Sequence, residues 1–562
     1  MASTSVGSPS RVALLVLGVT AVVYGALFAR VAHFEYVWDD LTTIRDSPQF
    51  DRPLSESLRV TQHGHIDETL TKLREVAPQH ESYRPLLFLT FAAEVKAFGK
   101  SAAVMHVTNL LLGFLAALVV FGVASRLLRS PAAGAAVAAI FALHPLQVEP
   151  LSYVSARADL LSGLLALSSV WLALLAGERE GKRAGLIAGS ALFFAASLFA
   201  KESTAALPLA LASLWLIDRR RRLRAPCLAL LAVVPIYFAL RALAVSGAPA
   251  MAHGGGVVKG ALAVPGLVLQ YLALFVAPAH LSIVRPLRQE MIVAGWVVAA
   301  GIGGPLLWRW ARGRAAKRSS GTPEHEHEHE HEHEMGRTVL AGLGWAIATV
   351  GPSAVVAVLM GVAADRYAYL PMLGFALAAV AVARALWAAR PSSRRVMVLA
   401  GAAWAFLCVG VSHLAVSYWR DPYHLYANAV LSEPDSAAAR YGIGVVFARK
   451  GMWTEAIASF ESATRFDPDH MRAWNNLSVA YESRGRLADG ERAVRRAIAL
   501  SDGTHFRAWY NLATIQERQG RAAESCASLE RALAINPYYA KAETEAVQRC
   551  GRAPRVSENG PR

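Results

Sequence analysis

Long apolar blocks separated by short polar segments fill residues 11–416 of the chain. An α-helix rises 1.5 Å per residue, so about 20 apolar residues cross the hydrocarbon core of a bilayer. Such blocks predict membrane-spanning helices near residues 11–31, 102–125, 132–149, 156–177, 184–200, 203–217, 224–245, 292–311, 338–361, 368–388 and 395–416. The pattern therefore predicts an all-α fold, with a polytopic helix bundle of about eleven spans in a domain covering residues 1–419.

Three apolar segments of this region need separate interpretation. Residues 86–98 are short and contain Glu94 and Lys96, so this helix is expected to lie in the membrane interface. Residues 262–280 contain Pro265 and Pro278, which favours a re-entrant or interfacial segment. The first apolar block has no clear small-x-small cleavage site, so it is expected to remain as an uncleaved first span.

Beyond residue 420 the apolar blocks stop, and a pattern with a period of about 34 residues begins. Gly451, Gly485 and Gly520 recur at this spacing, and so do Trp474 and Trp509. Small residues where two helices cross and large apolar residues between them are typical of a tetratricopeptide (TPR) α-solenoid. The pattern predicts about three repeats and a capping helix over residues 420–550, followed by a disordered tail at 551–562.

Polar residues in these repeats offer a candidate binding surface. Asn475, Asn476 and Asn511 could hydrogen-bond the backbone of an extended peptide. They could equally do no more than solvate the exposed side of the first helix of each repeat, and the sequence leaves both interpretations open.

Charge and composition indicate how the chain is placed in the membrane. Hydrophobic residues make up 54% of the sequence, and the formal net charge is +15. The basic residues cluster between apolar blocks, at 126–129, 179–183, 219–224, 309–318 and 390–395. No nucleic-acid recognition motif accompanies them, so no nucleic-acid partner is expected. The positive-inside rule instead predicts a cytoplasmic N-terminus, with the loop at 33–100 and the TPR domain on the outer face.

The four cysteines provide no disulfide framework. Cys227 and Cys408 fall in apolar blocks and are expected to be inert. Cys526 and Cys550 fall near the C-terminus, where they are expected to stay unpaired, although an oxidising compartment would allow them to pair.

An alternating Glu-His run occupies residues 324–334, inside a predicted cytoplasmic loop at 312–337. Imidazoles in a flexible tract bind divalent metals weakly, so metal buffering is one interpretation. The composition favours the other interpretation, a low-complexity linker.

Ionisable residues gather on the outer face under this orientation. Asp39 and Asp40 follow the first span, directly behind Trp38. Adjacent carboxylates at a membrane surface disfavour each other's charge unless something offsets it, so this pair is expected to be catalytic. The candidate substrate-binding residues are Arg84, His106, His144, Glu149, Arg157, Asp159, Lys201, Glu202, Arg366 and Tyr367.

This mixture of charges suits the transfer of a sugar from a lipid phosphate. Arginine can grip a phosphate bidentately, and the cations expected to hold it are Arg84, Arg157, Lys201 and Arg366. Asp39 would take the proton of an acceptor hydroxyl as that hydroxyl attacks the sugar carbon. A direct displacement with a single base inverts the anomeric centre.

Other roles stay open for the same residues. Asp39, Asp40 or Glu149 could bind a divalent cation, although the sequence assigns no metal site. The charges could instead form structural ion pairs, and the candidate pairs are Asp39 with Arg84, Arg157 with Asp159, and Lys201 with Glu202. His106 and His144 could equally be hydrogen-bond partners at helix ends.

An ordered set of motifs contains these residues. They are Val-Trp-Asp-Asp at 37–40, Tyr-Arg-Pro-Leu at 83–86, His-Val-Thr-Asn-Leu-Leu-Leu at 106–112, His-Pro-Leu-Gln-Val-Glu at 144–149, Ala-Arg-Ala-Asp-Leu-Leu at 156–161, Lys-Glu at 201–202 and Asp-Arg-Tyr-Ala-Tyr-Leu-Pro at 365–371. Followed by TPR repeats, this set resembles the transmembrane-and-TPR protein O-mannosyltransferases (TMTC) and their bacterial relatives.

The resemblance implies a GT-C glycosyltransferase fold and a polyprenyl- or dolichyl-phosphate-linked sugar as donor. It implies an acceptor hydroxyl, on a protein or glycan that the TPR domain could hold, and a mannose-like hexose as the sugar. Asp39, and secondarily Asp40, would be the catalytic carboxylates. The chain departs from the family in its short repeat array, in its Glu-His tract, and at Gly113, where a second histidine is usual.

High alanine and arginine usage indicates a GC-rich bacterial genome. We therefore expect the bacterial inner membrane, a periplasmic TPR domain and an undecaprenyl phosphate donor lipid. Two other functions compete with the enzyme. One is a non-catalytic, membrane-anchored TPR scaffold for envelope assembly. The other is a transporter of lipid-linked precursors, which would need charges deep within the spans, where few are found.

Overall fold

A computed structural model describes residues 10–51, 83–179, 181–215, 217, 222–244, 254–279, 281, 283, 285–287, 289–303, 326–360, 362–537 and 539–553. The described residues form two compact units, one ending at Asp421 and the other beginning at Pro422.

The first unit is almost entirely helical. Its α-helices are Arg11–Phe28, Pro85–Phe98, Ala102–Leu127, Pro131–Leu143, Val148–Ser152, Arg157–Glu178, Arg183–Ala200, Leu207–Leu214, Arg224–Ala244, Gly254–Val276, Gln289–Val298, Glu326–Met360, Pro371–Ala389 and Arg394–Tyr418. The 3-10 turns are Ala29–His33, Pro48–Asp51, Pro145–Gln147, Val154–Ala156, Glu202–Ala206, Asp365–Ala368 and Pro391–Ser393, and the π turns are Leu41–Arg45 and Ala299–Gly303. Two-residue strands, Arg285–Pro286 and Val362–Ala363, pair antiparallel.

Many of these helices are candidates for membrane spans. In the described part of the chain, nine are long and apolar enough to cross a membrane, or ten if the bent pair Pro131–Leu143 and Pro145–Ser152 is one span. This confirms the prediction of an all-α, polytopic membrane bundle.

The structure corrects three details of that prediction. Among its described residues, the block at 203–217 contains only the eight-residue helix Leu207–Leu214 after a 3-10 turn, too short for a span. The predicted span at 292–311 stays a prediction, because residues 304–311 lie outside the described residues. The helix Gly254–Val276 runs through Pro265 unbroken, so Val257–Val276 is a candidate span. Packed neighbours make a proline tolerable inside such a helix.

The third correction concerns the predicted loop at 312–337, because a long helix begins within it. The helix Glu326–Met360 includes most of the Glu-His run, since glutamate favours helix and the alternation offers no breaker. The side chains of residues 326–334 lie outside the described residues, so the metal-buffering interpretation stays a prediction.

Glycines let two of the long helices approach closely. A Cβ on Gly374 would lie 2.2 Å from the carbonyl oxygen of Gly342. The helices Glu326–Met360 and Pro371–Ala389 therefore need glycine at this crossing, as membrane helices often do. The crossing fixes the short connection between them, Asp365–Ala368, which carries two of the candidate site residues.

The loop after the first span has a hydrophobic core of its own. Tyr36, Ile44 and Phe50 pack in one buried cluster with Leu87 and Phe91 of the helix Pro85–Phe98. This packing holds the segment that contains Asp39 and Asp40 against the short helix predicted to lie in the membrane interface.

The second unit consists of helix pairs in a repeating array. Its helices are Pro422–Ser432, Ala437–Arg449, Trp453–Phe466, Met471–Ser483, Leu487–Leu500, Phe506–Arg518, Ala522–Ile535 and Ala540–Cys550. Gly451, Gly485 and Gly520 adopt φ angles of 73°, 74° and 77° in the turns inside the three pairs. Only glycine adopts this conformation without cost, which explains its recurrence. The prediction of TPR repeats in this part of the chain is confirmed, and the described helices form three such pairs between Pro422–Ser432 and Ala540–Cys550.

A disulfide joins Cys526 to Cys550, so the expectation that these residues stay unpaired was wrong. Their Cα atoms lie 5.7 Å apart, within the range that a disulfide spans. The packing of Ala540–Cys550 on Ala522–Ile535 brings them together, which their separation of 24 residues did not reveal.

Replacing Cys526 with Ser is expected to lower the free energy of unfolding of the TPR unit by about 3 kcal/mol. The bond closes a loop with a sequence separation of 24 residues, which restricts the unfolded chain. Thermal unfolding of the full-length protein in detergent measures the effect, with Cys227→Ser as a control that leaves the disulfide intact. An unchanged melting midpoint in Cys526→Ser would contradict this account of the bond.

Candidate functional site

The candidate site is built on the loop that follows the first span. Trp38 has a φ angle of 51°, in the left-handed region that bulky residues avoid at a cost of about 1–3 kcal/mol. Asp39 comes next and is exposed, whereas Asp40 is completely buried. The two adjacent carboxylates therefore lie in different environments, and only Asp39 is open to a substrate.

Asp40 anchors this loop to the turn Val154–Ala156. Its carboxylate accepts hydrogen bonds from the backbone N–H of Ser155 at 2.7 Å and from the Ser155 hydroxyl at 2.5 Å. The backbone N–H groups of Val154 and Val37 also donate to it, at 3.3 and 3.4 Å. Burial raises the pKa of Asp40 to about 7, although these hydrogen bonds act in the opposite direction.

Asp40 should make the stability of the protein depend on pH. Its pKa of about 7 in the fold exceeds the ordinary value of 3.8, so the folded state keeps a proton that the unfolded chain releases. The free energy of unfolding therefore falls as pH rises from about 4 to about 7. The melting midpoint of the wild type, relative to Asp40→Asn, is expected to drop over this interval. Asp46→Asn should keep the wild-type slope, and a pH-independent difference for Asp40→Asn would disprove the assignment.

Aromatic rings and one arginine gather around Tyr153, which reaches the exposed carboxylate of Asp39. Tyr153 stacks on Trp38 and on Trp419, with ring centroids 5.6 and 5.5 Å apart. Its hydroxyl donates a hydrogen bond to Oδ2 of Asp39 at 3.1 Å. The guanidinium carbon of Arg366 lies 5.4 Å from the Trp38 ring centroid and 5.8 Å from that of Tyr153. A cation is thus held on the ring whose hydroxyl reaches Asp39.

Three of the predicted phosphate-binding cations form ion pairs across the bundle. Arg84 donates two hydrogen bonds to Glu202, at 3.0 and 2.8 Å. Lys201 lies 2.5 Å from Asp159. The guanidinium of Arg366 bonds to Glu149, which also accepts from the Arg366 backbone N–H at 2.9 Å. The partner of Lys201 is therefore Asp159 and not Glu202, because residues adjacent in sequence point to different neighbours.

Tyr367 links two of these pairs. Its ring centroid lies 5.7 Å from Nζ of Lys201 and 5.4 Å from the guanidinium carbon of Arg366. Burial lowers the pKa of Lys201; Asp159 opposes this, and the charges of Arg84 and Arg366 lower the pKa further. Lys201 and Arg366 thus share the Tyr367 ring, and together with Arg84, whose charge also acts on Lys201, they are called the cation cluster.

Arg157 has a different environment from the other three cations. Its side chain is completely buried and donates to Glu94 at 2.8 Å, to Oδ1 of Asn109 at 2.9 Å and to the Met105 carbonyl at 3.0 Å. The predicted ion pair with Asp159 does not form, since Arg157 reaches Glu94 on the helix Pro85–Phe98. No part of this side chain is exposed to a phosphate.

The two predicted histidines are also buried. Nε2 of His144 bonds to the Phe275 carbonyl at 3.0 Å, and Nδ1 accepts from the Leu146 N–H at 3.2 Å. Both ring nitrogens thus bond to backbone groups, so His144 is a hydrogen-bond partner at a helix end and not a substrate contact. His106 packs edge-on against Phe34, with centroids 6.4 Å apart.

Sequence reasoning missed several residues of this region. Tyr153 and Ser155 lie between the motifs at 144–149 and 156–161. Their position between two predicted spans could have marked them as candidate site residues. Arg285 pairs with Asp365 at 3.1 Å, and Trp419 stacks on Tyr153, but no local pattern marked either residue. Among the described residues, no group of three or more His, Cys, Asp or Glu side chains is arranged to hold a metal ion.

Fold and site together define a class, that of helical membrane proteins with C-terminal TPR repeats. A tetratricopeptide repeat family model matches residues 424–470, 453–503 and 480–540. Among solved structures, MamA protein is 18% identical over 30% of this chain and 84% of its own, with a TM-score of 0.19 that is too low to carry an argument.

Similarity to curated proteins narrows the class to TMTC-like proteins. The chain is 28% identical to protein O-mannosyl-transferase TMTC1 of Homo sapiens over 166 residues, 28% of this chain and 17% of that protein. It is 33% identical to Tmtc1 of Drosophila melanogaster over 138 residues, 24% of this chain and 15% of that protein. The match thus spans about a sixth of these relatives, and it confirms the resemblance to a TMTC-like TPR protein.

Proposed function

We propose that this protein is a GT-C-type glycosyltransferase that moves a mannose-like hexose from a polyprenyl phosphate to an acceptor hydroxyl, on a protein, at the outer face of the membrane. The observation that carries the proposal is the exposed carboxylate of Asp39, which accepts a hydrogen bond from Tyr153, a residue whose ring also contacts the ion-paired Arg366. The names of the relatives, protein O-mannosyl-transferases, support the same reaction class.

The reaction needs one base and one site for a leaving phosphate. The acceptor oxygen attacks the anomeric carbon as Asp39 takes its proton. The bond between that carbon and the phosphate oxygen breaks, and the electron pair leaves with the polyprenyl phosphate. A single displacement of this kind inverts the anomeric configuration.

The cation cluster would receive the leaving phosphate. An ammonium carries three donors and a guanidinium five, so Lys201 and Arg366 can bind a phosphate while each keeps its carboxylate. Both lie in a partly buried site, where charge interactions are stronger than in water. The carboxylates Asp159, Glu149 and Glu202 hold the cations in place before the donor arrives.

Asp40 and Arg157 take supporting roles in this proposal. Asp40 accepts four hydrogen bonds and has no exposed surface, so it anchors the loop and leaves proton transfer to Asp39. Arg157 joins the helices Pro85–Phe98 and Arg157–Glu178 through Glu94 and does not bind the donor phosphate.

The TPR unit is proposed to lie on the outer side of a bacterial inner membrane, where it would hold the acceptor protein. The disulfide between Cys526 and Cys550 supports this location, because disulfides persist in oxidising compartments such as the periplasm. The orientation expected from the basic loops agrees with it.

A membrane-anchored scaffold is the second candidate, and the ion pairs favour it. Arg84, Lys201 and Arg366 each have a carboxylate partner, as structural charges would. The scaffold gives no reason, however, for an exposed Asp39 after a residue with a φ angle of 51°. Strained backbone of this kind clusters at functional sites, and we therefore prefer the enzyme.

The proposal is tested by measuring which class of sugar donor the protein uses. Membranes containing the wild-type protein are incubated with one radiolabelled hexose, presented either on a polyprenyl phosphate or on a nucleotide, and with a crude envelope acceptor. We expect labelled product only from the lipid-linked donor, with the anomeric configuration inverted. Product from the nucleotide sugar alone, or retention of configuration, would contradict the proposal.

A further inference from the structure

We infer that Tyr153 is a positioning residue, which orients the carboxylate of Asp39 so that one of its oxygens faces the acceptor hydroxyl. The inference deepens the proposed function and rests on it for the catalytic part. Its structural part, that Tyr153 holds Asp39, stands on contacts within the protein.

The first contact is the hydrogen bond between the two side chains. The Tyr153 hydroxyl donates to Oδ2 of Asp39 at 3.1 Å, although 114 residues separate them. Tyr153 is 3% exposed, while Asp39 is exposed, so the hydrogen bond joins a buried support to an accessible carboxylate. With Oδ2 engaged by the Tyr153 hydroxyl, the carboxylate is restrained from rotating.

The backbone of Tyr153 is held by a buried hydrogen-bond network. Its carbonyl accepts a hydrogen bond from Nδ2 of Asn109 at 3.1 Å, and Oδ1 of Asn109 accepts from Nε of Arg157 at 2.9 Å. Both partners are completely buried. The hydroxyl that reaches Asp39 is thus carried by a residue connected to the buried polar core of the bundle.

The ring of Tyr153 is fixed on two sides. Trp38 stacks on it at an interplanar angle of 20° and Trp419 at 29°. Such contacts define the plane of the ring and with it the direction of the hydroxyl. The stack also packs against Trp38, which has a φ angle of 51° and directly precedes the exposed Asp39.

The hydrogen bond from Tyr153 should affect the protonation of Asp39, which packing contacts alone would not do. A donor to a carboxylate favours its charged form over its neutral form. Removing the hydroxyl should therefore shift the protonation of Asp39 to higher pH. A hydrogen bond to a charged group contributes enough that its loss should lower kcat by about tenfold to a hundredfold, with little change in KM for the donor.

The test compares Tyr153→Phe with Tyr24→Phe in the full-length protein. Both variants keep an aromatic ring and lose one hydroxyl, and Tyr24 donates only to the Leu110 carbonyl inside the bundle, at 2.8 Å. We measure kcat and KM across pH for transfer from the polyprenyl-phosphate sugar. We also measure the pH at which a water-soluble carbodiimide with an amine labels half of Asp39, read by mass spectrometry.

We expect Tyr153→Phe to lower kcat, to move the acid limb of its pH profile upward and to move the labelling midpoint upward by about half a pH unit or more. Tyr24→Phe should match the wild type in all three. Equal labelling midpoints in wild type and Tyr153→Phe would overturn the inference, whatever the activity. A wild type that transfers no sugar would overturn the proposed function, while the labelling midpoint still decides whether Tyr153 holds Asp39.

Discussion

Replacing Asp39 with Asn is expected to lower the rate of sugar transfer by about 10²–10⁴-fold, the usual contribution of a general base. The amide is nearly isosteric and can still accept the hydrogen bond of Tyr153, but it cannot take a proton from the acceptor. Because Asp39 is exposed, the melting midpoint of the protein should stay the same. Lost activity at unchanged stability distinguishes a catalytic role from a structural one.

Asp46→Asn is the matched control for this experiment. Asp46 lies in the same loop, is exposed, and pairs with the equally exposed Arg45 at 2.7 Å. Surface pairs of this kind contribute about 0–1 kcal/mol, so the control should keep both activity and stability. Equal activity in Asp39→Asn and wild type would remove Asp39 from the mechanism, and equal losses in both variants would show that the loop tolerates no change of charge.

Replacing Arg157 with Met is expected to lower the free energy of unfolding by about 3–5 kcal/mol, as removing one partner of a buried ion pair does. Arg157 has no exposed surface and donates to Glu94, Asn109 and the Met105 carbonyl. The substitution leaves Glu94 without its cation and removes the hydrogen bonds to Asn109 and to the Met105 carbonyl.

A double variant, Arg157→Met with Glu94→Gln, should recover part of this loss because the uncompensated carboxylate is gone. Arg45→Met is the exposed control and should change stability little. Thermal unfolding in detergent gives the comparison. A stable Arg157→Met protein with a raised KM for the donor would contradict the structural role and return Arg157 to the phosphate site.

Most of the fold could be predicted because its signals are periodic. Apolar blocks of sufficient length and a TPR pattern of about 34 residues need no knowledge of tertiary contacts. The incorrect span predictions fall where the hydropathy of a segment does not match its backbone conformation. Residues 203–217 are apolar but begin with a 3-10 turn, and Pro265 suggested a break that the packed helix does not have.

The site was predictable as a region and not as a set of contacts. The ionisable residues were expected on one face, and Lys201 and Arg366 do contact the same ring, that of Tyr367. Their partners depend on how the helices pack, since Arg84 and Glu202 are 118 residues apart. Nothing local distinguishes Asp39 from Asp40, because Asp40 is buried against a turn more than 100 residues away, to which it makes three of its hydrogen bonds.

Tyr153 shows why a supporting residue is harder to find than a charged one. A tyrosine near the end of a membrane span is ordinarily interpreted as an interface anchor. Its role here follows from the two tryptophans that stack on it and from the carboxylate it reaches, and all three lie far from it in sequence.

The most direct test of the central claim is transfer of radiolabelled hexose from polyprenyl phosphate to a crude envelope acceptor, in membranes with matched amounts of wild type or Asp39→Asn. The account predicts labelled product from the wild type and almost none from the variant. No product from the wild type with any lipid-linked sugar, together with capture of a stable partner by the full-length protein, would contradict the account and favour the scaffold.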